Sequence, residues 1–493
     1  MAASTAFSPH LRLSPKSTSS PSKTLSRFGI GFPSKPSNRN CLIRAYASLS
    51  DPFVLQLAEI LEDSLPSSST SNPLQTLRDV SSESLLSTPW PSRKDEPFRF
   101  TDTSIIKSAN IRPISLPPPL PAARNDKESP SLVIIDGHVV SSESNLSGLG
   151  LEKGVCIGTL SSLGTEKNEA LEKRVREYVW EFEGRDLFWS LNGLGAPDVV
   201  VVYVPEGCVV EKPLHLRYYS SSVEVFGEDK LPVSNPRVLV LVEKGGEIGV
   251  VEEFMAAAES HGSYWSNSVT EFVLGEGAKV EHSYAQSQSL NAAHIKWTSV
   301  RQESASTYKL VEISSGGKLS RHNVHVKQLG SDTITELSTF HLCVSDQTQD
   351  LHSKIVLDHP RGVSRQLHKC IVAHSDGQAV FDGNVQVNRF AQQTDAQQLT
   401  RSLLLEPRAT VNIKPNLQII ADDVKCSHGA AISDLEKDQL IYFRARGVDL
   451  ETVRKALIFS FAAAVIQKLP YPFLRKRVEN DIKQLLESRI GKT

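Results

Sequence analysis

The sequence of 493 residues has no apolar run long enough to cross a membrane and no excess of charge of either sign. Its longest apolar stretches, 199–204 and the region around 456–466, are far shorter than the ~20 residues that a membrane-spanning helix needs. The 54 Lys and Arg residues nearly balance 56 Asp and Glu residues, which argues against binding of nucleic acid through bulk charge. We therefore expect a globular protein with no membrane insertion and no nucleic-acid partner.

Acidic residues are absent from the first 50 positions, which contain seven Lys or Arg and twelve Ser residues. This segment also lacks the continuous apolar core of a secretory signal peptide. The composition is typical of organellar transit peptides, and Ile43-Arg44-Ala45 looks like a stromal processing site. We predict that residues 1–45 direct the chain to the chloroplast stroma, the alternative being a Ser-rich tail without a targeting role. The mature chain then has 47 basic and 56 acidic residues, a net charge of −9.

Common catalytic and cofactor motifs are missing as well. No Cys-x-x-Cys pair occurs among the six Cys residues, so their spacing excludes a zinc ribbon and a self-contained four-cysteine cluster site. The C-terminal Gly491-Lys492-Thr493 is not a P-loop, because Leu486 stands where its first glycine is required. The sequence also contains neither a complete dinucleotide fingerprint nor a G-x-S-x-G nucleophile motif.

The remaining sequence divides into three zones. Residues 46–195 combine an amphipathic helix at 51–65, a polyproline spacer at 113–121, a hairpin at 131–140 and a second helix at 166–191. Residues 196–432 form many short alternating segments, which fit a β-sandwich, a jelly roll or a β-solenoid. Polar residues recurring inside the strands, with few tight hairpins, favour the solenoid. We predict a mainly β protein with helical regions on both sides of this core.

Residues 433–493 become helical again. Ser433 and Glu436 predict a capping box, Gly447 a helix end, and Asp449 the cap of the next helix, while the last helix is expected to end near Arg489. This tail has more apolar residues than three short helices can bury alone. It therefore either packs against the β core or forms a docking platform, and the pattern favours neither.

Histidines in the strand zone raise the possibility of a metalloenzyme with a jelly-roll or β-helix fold. His322 and His325 are three apart on a predicted strand and therefore face opposite sides. Asp350 and His352 share a face, but such a pair is more often a hydrogen-bonded surface couple. The metalloenzyme remains one alternative function.

Cys426 and His428 lie in ADDVKCSHGA at 421–430, on the last predicted strand before the helical tail. A spacing of two places both side chains on one face of a strand. Thiolate and imidazole are ligands for soft metals and iron–sulfur clusters, but two ligands do not complete such a site. Any further ligands must come from elsewhere, such as another subunit, or the pair has no chemical role.

The chain resembles the SufD proteins of the SUF system for iron–sulfur cluster assembly, which are paralogous to SufB. The similarity covers nearly the whole mature chain and includes the segments 90–102, 188–214, 236–246 and 267–282. It is strongest across 379–448, which contains AVFDGNVQV, AQQTDAQQLTRSLLL, KPNLQIIADDVKCSHGA and DQLIYFRARGV.

This resemblance implies a right-handed parallel β-helix at 196–432, paired with a SufB-like protein, and a C-terminal helical domain at 433–493 that binds a SufC-type ATPase. It also implies a non-catalytic scaffold that belongs to the non-intrinsic ABC protein group. Cys426 and His428 would then face a cysteine of the SufB-like partner and share a transient iron–sulfur cluster, with no permanently bound cofactor. A purely structural subunit is the remaining alternative.

Overall fold

The computed structural model describes residues 51–65, 72–116, 129–163, 174–175, 186–222, 230–257 and 262–490. The predicted transit peptide lies outside these residues, as does the part of the polyproline spacer from residue 117 onward. None of the helices described here is long and apolar enough to span a membrane.

Helices α1 (Pro52–Asp63) and α2 (Asn72–Leu85) begin the described chain, followed by the short α3 (Ser104–Lys107) and α4 (Leu160–Leu163). Asp51 caps α1 by accepting a hydrogen bond from the backbone N–H of Phe53 at 3.0 Å. Helix α5 spans Leu187–Gly195. Asp186 has extended backbone and caps α5, so the predicted uninterrupted helix at 166–191 is wrong at this point. Residues 166–173 and 176–185 of that prediction lie outside the described ranges.

The N-terminal strands are β1 (Ile111–Pro113), β2 (Ser131–Ile135), β3 (His138–Val139) and β4 (Cys156–Thr159). Strands β2 and β3 form the predicted hairpin, in which Asp136 and Gly137 both have positive φ, as a tight two-residue turn requires. These strands join the large sheets, because β2 pairs with the strand Leu214–Ser220 and β4 pairs with the strand Val199–Val204.

A parallel β-solenoid of about seven turns forms most of the structure, which confirms the predicted fold class. Its strands are β5 (Val199–Val204), β6 (Leu214–Ser220), β7 (Leu231–Ser234), β8 (Arg237–Val242), β9 (Glu247–Ala256), β10 (Trp265–Leu274), β11 (Lys279–Ser287), β12 (Ala293–Gln302), β13 (Thr307–Ser315), β14 (Leu319–Gln328), β15 (Ile334–Cys343), β16 (Thr348–Leu357), β17 (Val363–Val372), β18 (Gln378–Val387), β19 (Thr394–Leu404), β20 (Thr410–Ile419) and β21 (Val424–Ser433).

From β8 onward, successive strands alternate between two sheets, and β7 joins the first of them beside β10. Sheet A follows the order β20-β18-β16-β14-β12-β10-β8-β5-β4, and sheet B follows β21-β19-β17-β15-β13-β11-β9-β6-β2-β3. From β5 to β21 the pairing is parallel, as in β18 with β20, where Gln378 is opposite Thr410. Alternate side chains of both sheets point into the solenoid and form its main core, which includes Val240, Phe272 and Tyr308.

One corner of the solenoid repeats a left-handed backbone conformation. Gly277 has φ +68° and donates its backbone N–H to the carbonyl of Ser304 at 2.8 Å. Ala305, at the same corner of the next coil, has φ +58° and bonds to Ser331 in the same way. Left-handed backbone is unfavourable for a residue with a Cβ, so this corner holds local strain wherever it lacks glycine.

The C-terminal helices are α6 (Lys437–Arg444), α7 (Leu450–Ile466) and α8 (Pro472–Ile490). The cap at Asp449 is confirmed, since its carboxylate accepts from the N–H of Thr452 at 2.9 Å. The capping box is wrong, because Ser433 is still paired with Leu403 in sheet B and Glu436 makes no side-chain cap.

Helices α7 and α8 pack on the outer face of sheet B. Ile458, Val465 and Leu474 are fully buried in a cluster that also contains Phe340 and Ile371 of the sheet. This contact accounts for much of the apolar content of the tail. Helix α6 differs, because none of its residues is buried.

Candidate functional site

The last coil of the solenoid, formed by β20 and β21, is open on one side. Each of these strands is the terminal strand of its sheet and is paired on one edge only. Their inward side chains continue the rows of core residues from coil to coil, but no further coil of the described chain covers them. Ile419 and Ile432 are consequently 46% and 53% exposed. We call this surface, formed by 410–419 and 424–433, the open edge.

Cys426 and His428 lie on β21 within the open edge. Cys426 is opposite Ala396 and His428 is opposite Gln398, and both of these β19 residues are buried in the interior. The pair therefore shares the inward face, as the spacing of two predicted. Cys426 is partly covered by the core, whereas His428 is exposed.

The thiol of Cys426 is protected from ionisation in this structure. Burial raises its pKa above the ordinary value, and the nearby Asp395 carboxylate acts in the same direction. A raised pKa keeps the sulfur protonated near neutral pH and lowers its reactivity. Any metal ion held by this sulfur would have to displace its proton to obtain a thiolate ligand.

The described residues contain no group of three or more His, Cys, Asp or Glu side chains placed to hold a metal ion. Cys426 and His428 alone supply two ligands, fewer than a tetrahedral iron site needs. An iron–sulfur cluster fits this donor pair chemically only if further ligands come from a second molecule at the open edge. The predicted absence of a permanent cofactor stays a prediction.

The histidines considered for a metalloenzyme do not converge. His322 points into the solenoid and lies 2.9 Å from Glu312, whereas the ring of His325 packs on Trp297 of the outer face. Asp350 and His352 share the outer face and form a 2.9 Å ion pair. These positions match the predicted faces but form no common site.

Asp350 anchors the N-terminal region on sheet A. Its carboxylate accepts from Arg321 at 2.6 Å and from Thr101 at 2.5 Å. Burial would raise the pKa of Asp350, but His352 and Arg321 outweigh burial and hold it at about 2. The pair predicted from spacing thus belongs to a structural ion network.

A group of charged residues inside the solenoid was not predicted. Lys296 and Glu252 are both fully buried and form a 3.0 Å ion pair. His282 also bonds to Glu252, at 3.0 Å. The sequence gives one indication of this group, because polar residues stand at strand positions whose side chains point inward. The alternation of inward and outward residues does not show which of these polar residues are brought together by the stacking of the coils.

A second exposed apolar surface lies on α6. Ile441, Tyr442 and Phe443 are 63%, 52% and 39% exposed. The guanidinium of Arg446 stacks 3.6 Å from the centroid of the Tyr442 ring. A short helix with no buried residue and three large exposed apolar side chains is typical of a protein-binding surface.

Comparison with known proteins identifies two matching family models. Residues 225–461 match the model described as SUF system FeS cluster assembly, SufBD core domain. Residues 125–216 match the model described as SufBD protein N-terminal region. The first range includes most of the solenoid strands together with α6 and much of α7.

Similar curated proteins support the same grouping over most of the chain. "Protein ABCI7, chloroplastic" of Arabidopsis thaliana is 63% identical over 453 residues, which cover 90% of this chain and 93% of the relative. A SufBD family protein of Synechocystis, slr0076, is 34% identical over 437 residues, covering 86% and 93%. The protein SufD of Escherichia coli is 27% identical over 418 residues, covering 83% and 90%.

Proposed function

Because this chain belongs to the SufBD family of the SUF system for iron–sulfur cluster assembly, we propose that it is the SufD-type scaffold subunit of a SufB–SufC–SufD complex in the chloroplast stroma. The single observation that carries this proposal is the open edge, where the free outer edges of two terminal strands lie together and β21 presents both Cys426 and His428. The name of the Arabidopsis relative and the acid-free leader support the plastid location.

The open edge is the proposed contact with a SufB-like paralogue. The unpaired outer edges of β20 and β21 and the exposed Ile419 and Ile432 favour a partner that adds its own β-strands and covers the apolar side chains. Such a partner would also bring the ligands that Cys426 and His428 lack. The cluster would then be a cargo assembled between two subunits rather than a cofactor of this chain.

Helix α6 is the proposed contact with a SufC-type ATPase. Its apolar side chains are free of the solenoid, whereas α7 and α8 are committed to sheet B. We expect the purified chain alone to hydrolyse no ATP, since its sequence contains no complete P-loop. Its role in the complex would be non-catalytic.

The edge is tested by co-expressing the full chain with a SufB-like and a SufC-type protein, and by comparing His428→Ala with Ser427→Ala. Ser427 is the exposed neighbour on the opposite face of β21 and serves as the control. We expect His428→Ala to leave subunit stoichiometry unchanged and to reduce cluster absorbance, with Cys426→Ala milder or additive. Normal cluster yield without His428 contradicts its proposed role, and loss of the complex makes the residue structural.

The ATPase contact is tested with Ile441→Asp, because truncation before α6 would also remove α7 and expose the core beneath it. Ile441 is largely exposed, so folding is expected to be unaffected while ATPase binding is lost. Lys437→Asp, at the start of the same helix, is the charge control. Full binding by Ile441→Asp would place the ATPase elsewhere.

A further inference from the structure

The two strands of the open edge differ in how far the rest of the chain covers them. Six of the ten residues of β20 are half-buried, whereas seven of the ten residues of β21 are exposed. On the outer face of sheet A, the half-buried residues of β20 include Asn412 and Asn416. Among the described residues, the cluster beneath α7 and α8 reaches β19 through Leu403 but includes no residue of β21. The chain therefore covers β20 more than β21.

An N-terminal segment, residues 90–102, lies on the outer face of sheet A, and we call it the strap. The guanidinium of Arg321 lies 4.1 Å from the centroid of the Phe98 ring. The hydroxyl of Thr101 donates to the carboxylate of Asp350 at 2.5 Å. Phe98, Arg321 and Asp350 are all at most 7% exposed. These buried contacts fix the strap to β14 and β16, the strands that precede β18 and β20 in sheet A.

Glu96 extends from the fixed part of the strap to the last strand of sheet A. It begins a single 3₁₀ turn that ends at Phe98, so the buried ring determines where Glu96 lies. Its Oε1 is 2.7 Å from Nζ of Lys414 on β20. The same ammonium is 3.4 Å from Asp382 on β18, the residue directly opposite Lys414. This contact ties β20 to the N-terminal region independently of its backbone pairing with β18.

Strand β21 has no comparable contact. Within the part of the chain that the structure describes, no side chain of 424–433 takes part in an ion pair. This strand is held by its pairing with β19 and by the packing of residues such as Cys426 against the core. A terminal strand with few contacts beyond its backbone pairing opens locally more often than a strand with additional contacts. We therefore expect β21 to be the looser of the two strands.

We propose that the strap makes β20 the preformed half of the open edge, where a strand of the partner pairs first, and leaves β21 as the adjustable half. This inference rests on the proposed function, in which a SufB-like paralogue covers the edge. Pairing with a strand that is already in place loses less free energy to ordering than pairing with a loose one. Pairing on β20 would align the two proteins, while β21 can still shift Cys426 and His428 toward ligands of the partner.

The support given by the strap is tested on the full chain alone, by hydrogen–deuterium exchange measured with mass spectrometry. We expect residues 410–419 of the wild type to exchange more slowly than residues 424–433. Glu96→Gln removes the ionic contact with Lys414 and is expected to speed exchange at 410–419 about two- to fivefold, the range for an exposed ion pair. Exchange at 424–433 is expected to stay unchanged. Equal exchange of the two strands in the wild type, or unchanged exchange at 410–419 in Glu96→Gln, refutes the role of the strap.

Glu276→Gln is the matched control, because it removes another exposed contact between Glu and Lys. The Glu276 carboxylate lies 2.8 Å from Nζ of Lys244, at a corner of the solenoid several coils earlier. This variant is expected to leave exchange at 410–419 unchanged. A second control adds Glu96→Gln to Lys414→Met, in which the contact is already lost, so no further increase is expected. An increase in either control contradicts the assignment to the contact between Glu96 and Lys414.

The order of pairing is tested by the rates at which the full chain associates with and dissociates from a SufB-like paralogue. Ile419→Ala on β20 is compared with Ile432→Ala on β21, because the two side chains are similarly exposed, at 46% and 53%. Ile419→Ala is expected to lower the association rate about threefold or more, whereas Ile432→Ala mainly raises the dissociation rate. An association rate lowered equally by both variants, or by Ile432→Ala alone, refutes the order.

The two measurements distinguish a failure of the strap from a failure of the proposed function. A wild-type chain that binds no SufB-like paralogue contradicts the proposed function and, with it, the order of pairing. Exchange in the free chain still decides whether the strap supports β20, because that measurement involves no partner.

Discussion

Replacing Lys296 with Met is expected to destabilise the fold strongly, because it leaves Glu252 ionised and unpaired inside the solenoid. The ammonium lies 3.0 Å from the Glu252 carboxylate and 2.5 Å from the hydroxyl of Thr270, and both charged side chains are fully buried. At an effective dielectric constant of ~20 the lost attraction is about 5 kcal/mol. Removing one partner of a buried pair typically costs about 3–5 kcal/mol, so we expect a loss in this range.

The assay is urea unfolding followed by circular dichroism, with Lys279→Met as the matched control. Lys279 lies even closer to its partner Glu247, at 2.6 Å, but its side chain is 57% exposed. Solvent screening limits such a pair to at most about 1 kcal/mol. The double variant Lys296→Met/Glu252→Gln is expected to recover part of the loss. Equal effects of the two single Lys variants would refute the argument from burial.

Three further predictions concern the left-handed corner and the interior of the solenoid. Gly277→Ala is expected to cost about 1 kcal/mol, because its φ is +68° while a new Cβ would meet no atom within 4 Å. Ala305→Gly removes the Cβ that makes the left-handed backbone unfavourable and is expected to raise the urea midpoint of unfolding. A lower midpoint would contradict the inference that Ala305 is strained. His294 has its pKa lowered to about 3, mainly by burial, so below pH 6.5 the unfolded chain binds more protons than the folded one. As the pH is lowered from 6.5 to about 3, this ring is expected to reduce the free energy of unfolding by at most about 1.4 kcal/mol per pH unit. In His294→Gln the free energy of unfolding should depend less on pH over this range. If the pH dependence of the unfolding free energy is unchanged in His294→Gln, the lowered pKa of His294 is not its cause.

Local patterns predicted those elements that depend on neighbouring residues. The cap at Asp449 and the turn at Asp136 involve atoms within a few residues of each other. The capping box at Ser433 failed because a strand 30 residues earlier continues to pair with this residue. The spacing of residues in the sequence does not show where the hydrogen-bonded pairing of two strands ends.

The same distinction applies to the candidate site. The shared face of Cys426 and His428 follows from strand alternation. The pairing of Lys296 with Glu252 joins residues 44 positions apart and depends on how the coils stack. The contacts of Glu312 with His322 and His341 likewise join three strands, so these residues look like separate polar interruptions of the sequence pattern until the solenoid closes around them.

The open edge also has a consequence for the life of a newly made chain. A chain without its partner displays unpaired backbone and apolar side chains, which can recruit any other extended segment, including the same edge of another copy. Surplus copies would therefore be prone to aggregation and to removal by proteases. Under the proposed function, the amount of this subunit in the cell would be set by the supply of the partner that covers the edge.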